Sequence, residues 1–169
     1  MSQQLTHNQS IFNKKAFPVT LVCDNIVFQP NIGSIFRIAE AFGVSEIIFV
    51  GEGIALTPRK INRTSRSTHN MVKHRVIEST QDAATLLTQN DYHIVALEIT
   101  DMSTPLKSAQ FTTDKPIALI AGSEVSGISP EFLQLANQTV HIEMFGDNSS
   151  MNVVQAVGIA LYDITSKIG

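Results

Sequence analysis

The sequence predicts an α/β fold, in which a mostly parallel sheet is covered by helices on both faces. Five apolar runs rich in Val, Ile and Leu recur along the chain, and segments with helical spacing of apolar residues lie between them. Parallel strands buried on both faces read as continuous apolar runs, and alternation with helices is typical of such sheets. The predicted strands are Val19–Cys23, Ile47–Val50, Ile94–Leu97, Ile117–Ala121 and Val140–Ile142. The predicted helices are Ile32–Phe42, Ala83–Leu87, Glu131–Leu135 and Val153–Ile164.

Length and composition predict one globular domain. The chain has 169 residues, of which 43% are hydrophobic and 16% charged, so it can bury a core of its own. We expect residues 1–12 to form a polar N-terminal arm and residues 13–169 to form the domain. The arm lacks the basic flank and apolar run of a signal peptide, and no apolar stretch is long enough to span a membrane, which predicts a cytoplasmic protein. The one cysteine, Cys23, lies inside a predicted strand, which argues against disulfides and a zinc site.

Charge is unevenly distributed along the chain. The net charge of −3 argues against a nucleic-acid protein, because phosphate contacts require Lys and Arg. Half of the twelve Lys and Arg nevertheless fall in one segment that contains no Asp or Glu. These six are Arg59, Lys60, Arg63, Arg66, Lys73 and Arg75. A solvated face is the ordinary explanation of such a run. The rest of the chain favours the alternative, in which the first four contact RNA phosphates.

Loops after the strands are where ligands bind in open sheets of this kind, and three of these loops carry unusual residues. The first runs from Asn31 to Arg37 and opens a helix. Pro30 predicts an extended residue before it, and Asn31 is a good N-cap, so local structure alone explains Asn31 and Gly33. Arg37 lies among mostly apolar residues, so we expect an anionic partner or a ligand site beside its guanidinium.

The second and third loops lie near the C-terminus. Gly122 and Gly127, five residues apart between a strand and a helix, are similar to a phosphate-cradling loop, but Ile128 stands where that motif requires Lys, which argues against NTP hydrolysis. The glycines suit either a simple turn or close approach to a ligand, and Glu124 adds a carboxylate at the strand end. The third loop, residues 145–152, holds more Ser and Asn than helix capping needs, and such groups at a helix N-terminus suit polar ligand atoms.

Taken together and in this order, the three loops resemble the signature motifs of the SpoU-type ribose 2′-O-methyltransferases of the SPOUT superfamily. The resemblance covers the chain from about Thr20 to Asp163. The matching residues are Asn31, Gly33 and Arg37 in the first motif, Gly122, Glu124 and Gly127 in the second, and Ile142, Met144, Ser150, Met151 and Asn152 in the third. Three residues depart from the usual pattern in the second loop and at the last strand end, namely Ser123, Val125 and Glu143.

The resemblance implies a C-terminal deep trefoil knot, which is a rare exception to unknotted topology. It also implies that S-adenosylmethionine lies bent in this knot, and that the protein is a homodimer whose active site is completed across the interface without a metal ion. The residues that match cofactor-binding positions are Leu97, Gly122, Ile142, Ser150 and Met151.

The implied reaction moves a methyl group from S-adenosylmethionine to a ribose 2′-hydroxyl of RNA. The residues that match catalytic positions are Asn31, Arg37, Glu124, Ser150 and Asn152. A guanidinium is almost always protonated, so we expect Arg37 to stabilise the developing alkoxide or to grip the adjacent phosphate. Asn31, Ser150 and Asn152 would orient the substrate and Arg37. Glu124 would organise the loop and pair with Arg37 or with the amino end of the cofactor.

Two other functions stay open at this point. A non-catalytic RNA-binding dimer would keep the fold and lose the chemistry. A methyltransferase that acts on a small molecule would need no cationic surface, so the basic segment discriminates against it. Among RNAs, tRNA is favoured over ribosomal RNA, because the sequence lacks the N-terminal RNA-binding domain often found on the ribosomal RNA enzymes of the family.

Overall fold

The computed structural model describes residues 3–6, 12–57, 61, 64–148 and 150–169. In these residues seven strands form one sheet, and every neighbouring pair is parallel. The strands are β1 (Phe17–Asp24), β2 (Val44–Val50), β3 (His74–Ile77), β4 (His93–Leu97), β5 (Thr104–Pro105), β6 (Ile117–Gly122) and β7 (Gln138–His141), in the spatial order β3-β2-β1-β6-β4-β7-β5. The helices are α1 (Gln29–Ala41), α2 (Thr80–Gln89), α3 (Pro130–Leu135) and α4 (Val153–Ile168). The predicted α/β fold is therefore confirmed.

The helices cover both faces of the sheet, as predicted. Leu21 and Cys23 of β1 belong to the core shared with α1 and α4, whereas Val22 belongs to the core shared with α2 and α3. Phe36 of α1 and Phe132 of α3 are fully buried in their respective layers. Burial, and to a lesser extent the neighbouring Asp24, raises the pKa of the Cys23 thiol, as expected for a core residue.

Helix α1 begins earlier than predicted. Its N-cap is Phe28, and Pro30 occupies the first turn. Proline suits this position because an N–H there would have no acceptor within the helix, and because its fixed φ is already helical. The predicted extended residue before Pro30 is therefore wrong, since Gln29 is helical. The predicted N-cap is also wrong, because Asn31 lies inside the first turn and its side chain is free to contact other elements.

The other predicted elements are all present with shifted ends, but two strands were not predicted. β3 lies at one edge of the sheet, and its residues alternate between half-buried and exposed. Its first two residues, His74 and Arg75, belong to the end of the basic segment, so that part of the segment is a strand. β5 is two residues long at the other edge. Edge strands bury too little side chain to require a continuous apolar run, so neither produces the signal used for the central strands.

The order of the central strands positions the site. β6 lies between β1 and β4, so Asp24 is paired in register with Gly122, and Leu97 with Ala121. The carboxyl ends of three central strands, β1, β6 and β4, therefore lie side by side although the strands are far apart in sequence. This is the end of the strands at which ligands bind in open parallel sheets.

Three remaining expectations concern the chain ends, the membrane and the knot. Residues 3–6 and 12–16 are exposed and lie outside helices and strands. None of the described helices combines the length and the apolar character needed to cross a membrane. The trefoil knot stays a prediction, because strand order and pairing do not by themselves establish how the chain is threaded.

Candidate active site

A cavity of about 240 Å³ opens at the carboxyl ends of β4, β6 and β7 and beside the start of α4. All five residues predicted to bind the cofactor line it, namely Leu97, Gly122, Ile142, Ser150 and Met151. The other lining residues include Glu98, Glu124, Gly127, His141 and Met144. The structure therefore brings the ends of four elements together around one concave surface of mixed polarity.

The glycine loop after β6 is closed by its own backbone. A Cβ atom on Gly122 would collide with the carbonyl group of Gly127 and the amide of Ile128, so only glycine allows the two ends of the loop to touch. Gly127 has a φ of +67°, and its amide donates to the carbonyl of Ser123 at 2.9 Å. Both glycines therefore have a geometric role in a tight turn, and that turn forms one wall of the cavity.

Two carboxylates fasten this loop to the strands on either side of β6. Asp24, at the end of β1, accepts a 2.6 Å hydrogen bond from the amide of Ser129. Glu98, just after β4, accepts a 3.2 Å hydrogen bond from the amide of Ile128. Neither Asp24 nor Glu98 was predicted from the sequence to be part of the site. An acidic residue that directly ends or follows a buried apolar strand was the signal available, because a carboxylate there needs hydrogen-bond donors.

The three sequence motifs meet at the Glu124 carboxylate. Asn152 donates from Nδ2 to Oε1 of Glu124 at 2.7 Å, and Asn31 donates to the same oxygen at 3.4 Å. Asn152 Nδ2 also lies 3.3 Å from Oδ1 of Asn31, and the amide of Val153 lies 3.4 Å from Glu124 Oε1. A carboxylate is stabilised there because the first amides of α4 carry partial positive charge. Three of the predicted catalytic residues therefore form one hydrogen-bonded cluster at the rim of the cavity.

In the third loop Asn152 caps a helix, whereas Ser150 is exposed. Asn152 caps α4, since its Oδ1 accepts a 2.9 Å hydrogen bond from the amide of Val154. Ser150 is exposed and hydrogen-bonds to Oδ1 of Asn148 through its amide at 3.2 Å and its hydroxyl at 3.4 Å. β7, which precedes this loop, is separated from β6 by β4. Residues 142–152 connect the end of β7 to the start of α4, where Asn152 contacts Glu124.

Arg37 is exposed on α1 and does not line the cavity. Its guanidinium has neither a hydrogen bond nor an ion pair with any residue in the described part of the chain. The described residues of this chain therefore do not supply the anionic partner that was expected for Arg37. The structure does not bring Arg37 into the cluster of Asn31, Glu124 and Asn152.

Gly33 connects the first motif to the basic segment. A Cβ atom on Gly33 would collide with the side chain of Thr64 and would lie 3.1 Å from the carbonyl oxygen of Ile61. The missing side chain therefore lets the segment around Thr64 pack directly against α1.

Two histidines of the basic segment support this packing. His69 and His74 contact the ring of Phe36 edge-on, with centroid separations of 6.2 and 4.9 Å. His74 Nδ1 lies 2.9 Å from the carbonyl oxygen of Val72, so this nitrogen carries the proton. Ser65 is fully buried and hydrogen-bonds to His69 at 2.9 Å. His69 is half-buried and His74 is exposed, so each combines this packing contact with access to solvent.

The basic segment is only partly a free cationic surface. Arg59, Lys60 and Arg63 lie outside the described residues, and Arg66 is exposed with a φ of +49°. Arg75 makes a bidentate ion pair with Glu46 of β2, at 2.7 and 2.9 Å, and Lys73 lies 3.6 Å from the same carboxylate. The segment contains no acidic residue of its own, but the pairing of β2 with β3 supplies one. The inference of a continuous basic patch is therefore corrected at Lys73 and Arg75.

Within the described ranges, no group of three or more His, Cys, Asp or Glu side chains is arranged to hold a metal ion. Cys23 lies in the sheet core and does not line the cavity.

Comparison with known proteins identifies relatives of the whole domain. The model of the SpoU rRNA Methylase family matches residues 18–162. A tRNA (guanosine(18)-2′-O)-methyltransferase of Aquifex aeolicus is 26% identical over 165 residues, which cover 96% of this chain and 76% of that protein. The Escherichia coli protein of the same name is 29% identical over 86% of this chain, a match that spans 62% of its own length. The AdoMet-bound rRNA methyltransferase from Sinorhizobium meliloti is similar in structure, with a TM-score of 0.77 and 25% identity over 86% of this chain and 54% of that one.

The Glu46 ion pair predicts how stability depends on pH. Burial raises the pKa of Glu46, but hydrogen bonds and charge from Arg75, aided by Lys73, outweigh it and hold the pKa below the usual 4.5. A carboxyl with a lowered folded pKa stabilises the protein above its unfolded pKa, and the contribution is lost as pH falls through the folded value. Glu46→Gln should therefore lower the free energy of unfolding by about 1 kcal/mol at neutral pH, a figure discounted because Arg75 is partly exposed.

Urea unfolding at neutral pH and at several pH values below 4.5 measures this difference. The exposed Glu78, which follows β3, provides the control variant Glu78→Gln, which should change stability little at any pH. A gap between wild type and Glu46→Gln that stays constant down to acidic pH would contradict the assignment.

Proposed function

The chain belongs to the SpoU rRNA methylase family, and on that premise we propose that it transfers a methyl group from S-adenosylmethionine to a ribose 2′-hydroxyl of RNA. The observation that carries the proposal is the cluster of Asn31, Glu124 and Asn152, which joins all three motifs at the rim of the cavity. We favour tRNA as the substrate, because the relatives from Aquifex aeolicus and Escherichia coli are named as tRNA methyltransferases. Ribosomal RNA is the second candidate, since other relatives are named for it.

The residues of the cavity suit S-adenosylmethionine, which supplies an electrophilic methyl group on a sulfonium centre. Leu97, Ile142 and Met151 offer apolar contact for a flat base, and the loop from Gly122 to Gly127 offers backbone groups at close range. Among the described residues that line the cavity there is no Lys or Arg. A nucleoside triphosphate would need such cations, whereas a ligand with a sulfonium, an ammonium and hydroxyl donors does not.

The chemistry asks this chain to position a poor nucleophile and to stabilise negative charge. A ribose hydroxyl must lose its proton as its oxygen forms the new bond to carbon, and alignment of the reacting atoms can supply several kcal/mol, about 7–11 in favourable cases. Arg37 is proposed to stabilise the developing alkoxide or to hold the adjacent phosphate, since a guanidinium donates hydrogen bonds and accepts none. Asn31, Ser150 and Asn152 orient the substrate, and Glu124 fixes Asn31 and Asn152 through the bonds described above.

A homodimer would supply what one described subunit lacks. Arg37 lies outside its own cavity and carries no anionic partner in the described residues, as expected if it serves the cavity of a second subunit. Exposed apolar side chains also accompany α1 and α4, with Phe28 62%, Ile159 43% and Tyr162 66% exposed. Apolar side chains left on one helical layer mark an interaction surface. We therefore propose a homodimer formed through the layer of α1 and α4, with the active site completed across it.

The basic segment is proposed to bind the RNA backbone through Arg59, Lys60, Arg63 and Arg66. Arg66 is exposed, and the contact between Gly33 and Thr64 holds this part of the chain against α1, the helix that carries Arg37. Phosphates bound there would lie near the helix that acts on the ribose. We propose that the enzyme works on RNA in the cytoplasm, without a metal ion or a membrane.

The function is tested by mapping ribose methylation across tRNA and ribosomal RNA in cells that lack the gene. Complementation with the wild-type gene should restore methylation at a defined site, and complementation with Arg37→Ala should not, because the interaction with the reacting hydroxyl is lost. Loss of one donor that acts at a developing oxyanion typically lowers the rate by about 100- to 1,000-fold. Purified Arg37→Ala protein should keep its affinity for S-adenosylmethionine within a few fold, which separates chemistry from binding.

Glu40→Ala is the matched control, since Glu40 is also exposed on α1. It should restore methylation fully. Unchanged methylation with Arg37→Ala would remove Arg37 from the mechanism, and no change in either RNA upon deletion of the gene would contradict the proposed function.

The dimer is tested by placing a charge on the exposed layer. Tyr162→Glu buries an unpaired carboxylate in the proposed interface, so sedimentation velocity should show a monomer, and methyl transfer should be lost with it. Leu135→Glu is the control on α3, on the opposite face of the sheet, where Leu135 is 40% exposed. It should leave the mass and the activity unchanged. A wild-type protein that sediments as a monomer would refute the shared site.

The basic segment is tested by the salt dependence of RNA affinity. Each phosphate contact removed by an alanine substitution at Arg59, Lys60, Arg63 or Arg66 should reduce the log-log slope against salt by about 0.7 to 0.9. Lys14→Ala, an exposed change outside the segment, should leave the slope as it is. If the quadruple variant keeps the original affinity and slope, the segment is a solvated face and has no role in RNA binding.

A further inference from the structure

The cavity proposed to hold the cofactor has an acidic wall. Two carboxylates line it, Glu98 and Glu124, and the described lining residues include neither Lys nor Arg. Lys107, a nearby cation, is instead paired with Glu143. Within one subunit, a ligand in this cavity therefore faces negative charge that no Lys or Arg of the described lining balances. Such charge acts more strongly near a low-dielectric wall than in bulk water.

Glu98 is held in place by the backbone on both sides. Its Oε1 accepts a 3.0 Å hydrogen bond from the amide of Ile99, and its Oε2 accepts the 3.2 Å bond from Ile128. A Cβ atom on Gly127 would lie 2.7 Å from this second oxygen, so the glycine leaves the space that the carboxylate occupies. The side chain thus has a fixed position in the wall before any ligand arrives.

The two carboxylates differ in how many hydrogen-bond donors and how much nearby positive charge offset their negative charge. Glu124 Oε1 receives Asn31, Asn152 and the amide of Val153, and it lies at the positive end of α4. Glu98 is half-buried and receives only the two loop amides. Glu98 lines the cavity, and neither oxygen is paired with a cation in the described residues, so its charge is less fully compensated than that of Glu124.

We propose that Glu98 is a specificity-determining residue, whose fixed negative charge makes the cavity favour the cationic sulfonium cofactor over the neutral thioether that remains after methyl transfer. This inference deepens the proposed function and rests on it. S-adenosylmethionine carries one more positive charge than S-adenosylhomocysteine, and the rest of the two molecules is the same apart from the methyl group. The charge of Glu98 therefore selects the loaded cofactor and speeds release of the spent one.

Calorimetry with three ligands tests the proposal on the whole protein without using activity. The ligands are S-adenosylmethionine, S-adenosylhomocysteine and sinefungin, in which a carbon that bears an ammonium group replaces the methylated sulfur. Wild type should bind both cationic ligands more tightly than the neutral one. Glu98→Gln should reduce this preference by about fivefold, the size expected of a partly exposed charge pair. Glu131→Gln, an exposed change on α3, should preserve the preference.

Ionic strength supplies a second readout that needs no variant. Salt screens a charge interaction, so affinity of the wild type for the two cationic ligands should fall as salt rises, while affinity for S-adenosylhomocysteine should stay constant. The salt dependence tests the proposal even if Glu98→Gln disturbs the glycine loop. Equal preference in wild type and in folded Glu98→Gln, or equal salt dependence of all three ligands, would overturn the proposal and leave the proposed function intact. If none of the three ligands binds to the wild-type protein, the proposed function itself is refuted.

Discussion

The insertion of β6 between β1 and β4 is the constraint on which the site depends. Parallel pairing in the middle of the sheet aligns Asp24 with Gly122 and Leu97 with Ala121, although these strands are far apart in the sequence. Each strand then ends at the same edge, and each loop that follows must turn within a few ångströms of the others. The tight Gly122–Gly127 turn and the wall of the cavity both follow from this one arrangement.

Carboxylates stabilise the edge because strand ends expose backbone amides. The loop after β6 leaves the amides of Ile128 and Ser129 without partners in the sheet, and buried amides left unpaired cost about 1–3 kcal/mol each. Glu98, just after β4, accepts a hydrogen bond from the amide of Ile128, and Asp24, at the end of β1, accepts one from the amide of Ser129. Glu124 does the same for the first amides of α4 while it orders Asn31 and Asn152. Glu98 and Glu124 also line the cavity, so two of the carboxylates that hold the strand ends together place negative charge in its wall.

Much of the fold could be predicted from the sequence, because the central strands are buried on both faces and must be apolar throughout. The ends of α1 and the edge strands could not, since Pro30 fits a first helical turn as well as it ends an extended segment, and β3 is half exposed. Part of the cavity lining was predicted through the family resemblance, including Leu97, Gly122, Ile142, Ser150 and Met151. Asp24 and Glu98 were missed because their role depends on which strands flank β6, and that order is not visible in local patterns.

The basic segment shows why charge counted along a sequence differs from charge on a surface. Lys73 and Arg75 look like part of one cationic run, but β3 pairs with β2 and places both beside the buried carboxylate of Glu46. These two cations act within the fold, and Arg66 stays exposed. Arg37 presents the opposite case, since this exposed guanidinium on a mostly apolar helix finds no partner among the described residues of its own subunit. In the proposed mechanism its partner comes from another molecule, either the RNA or a second copy of this chain.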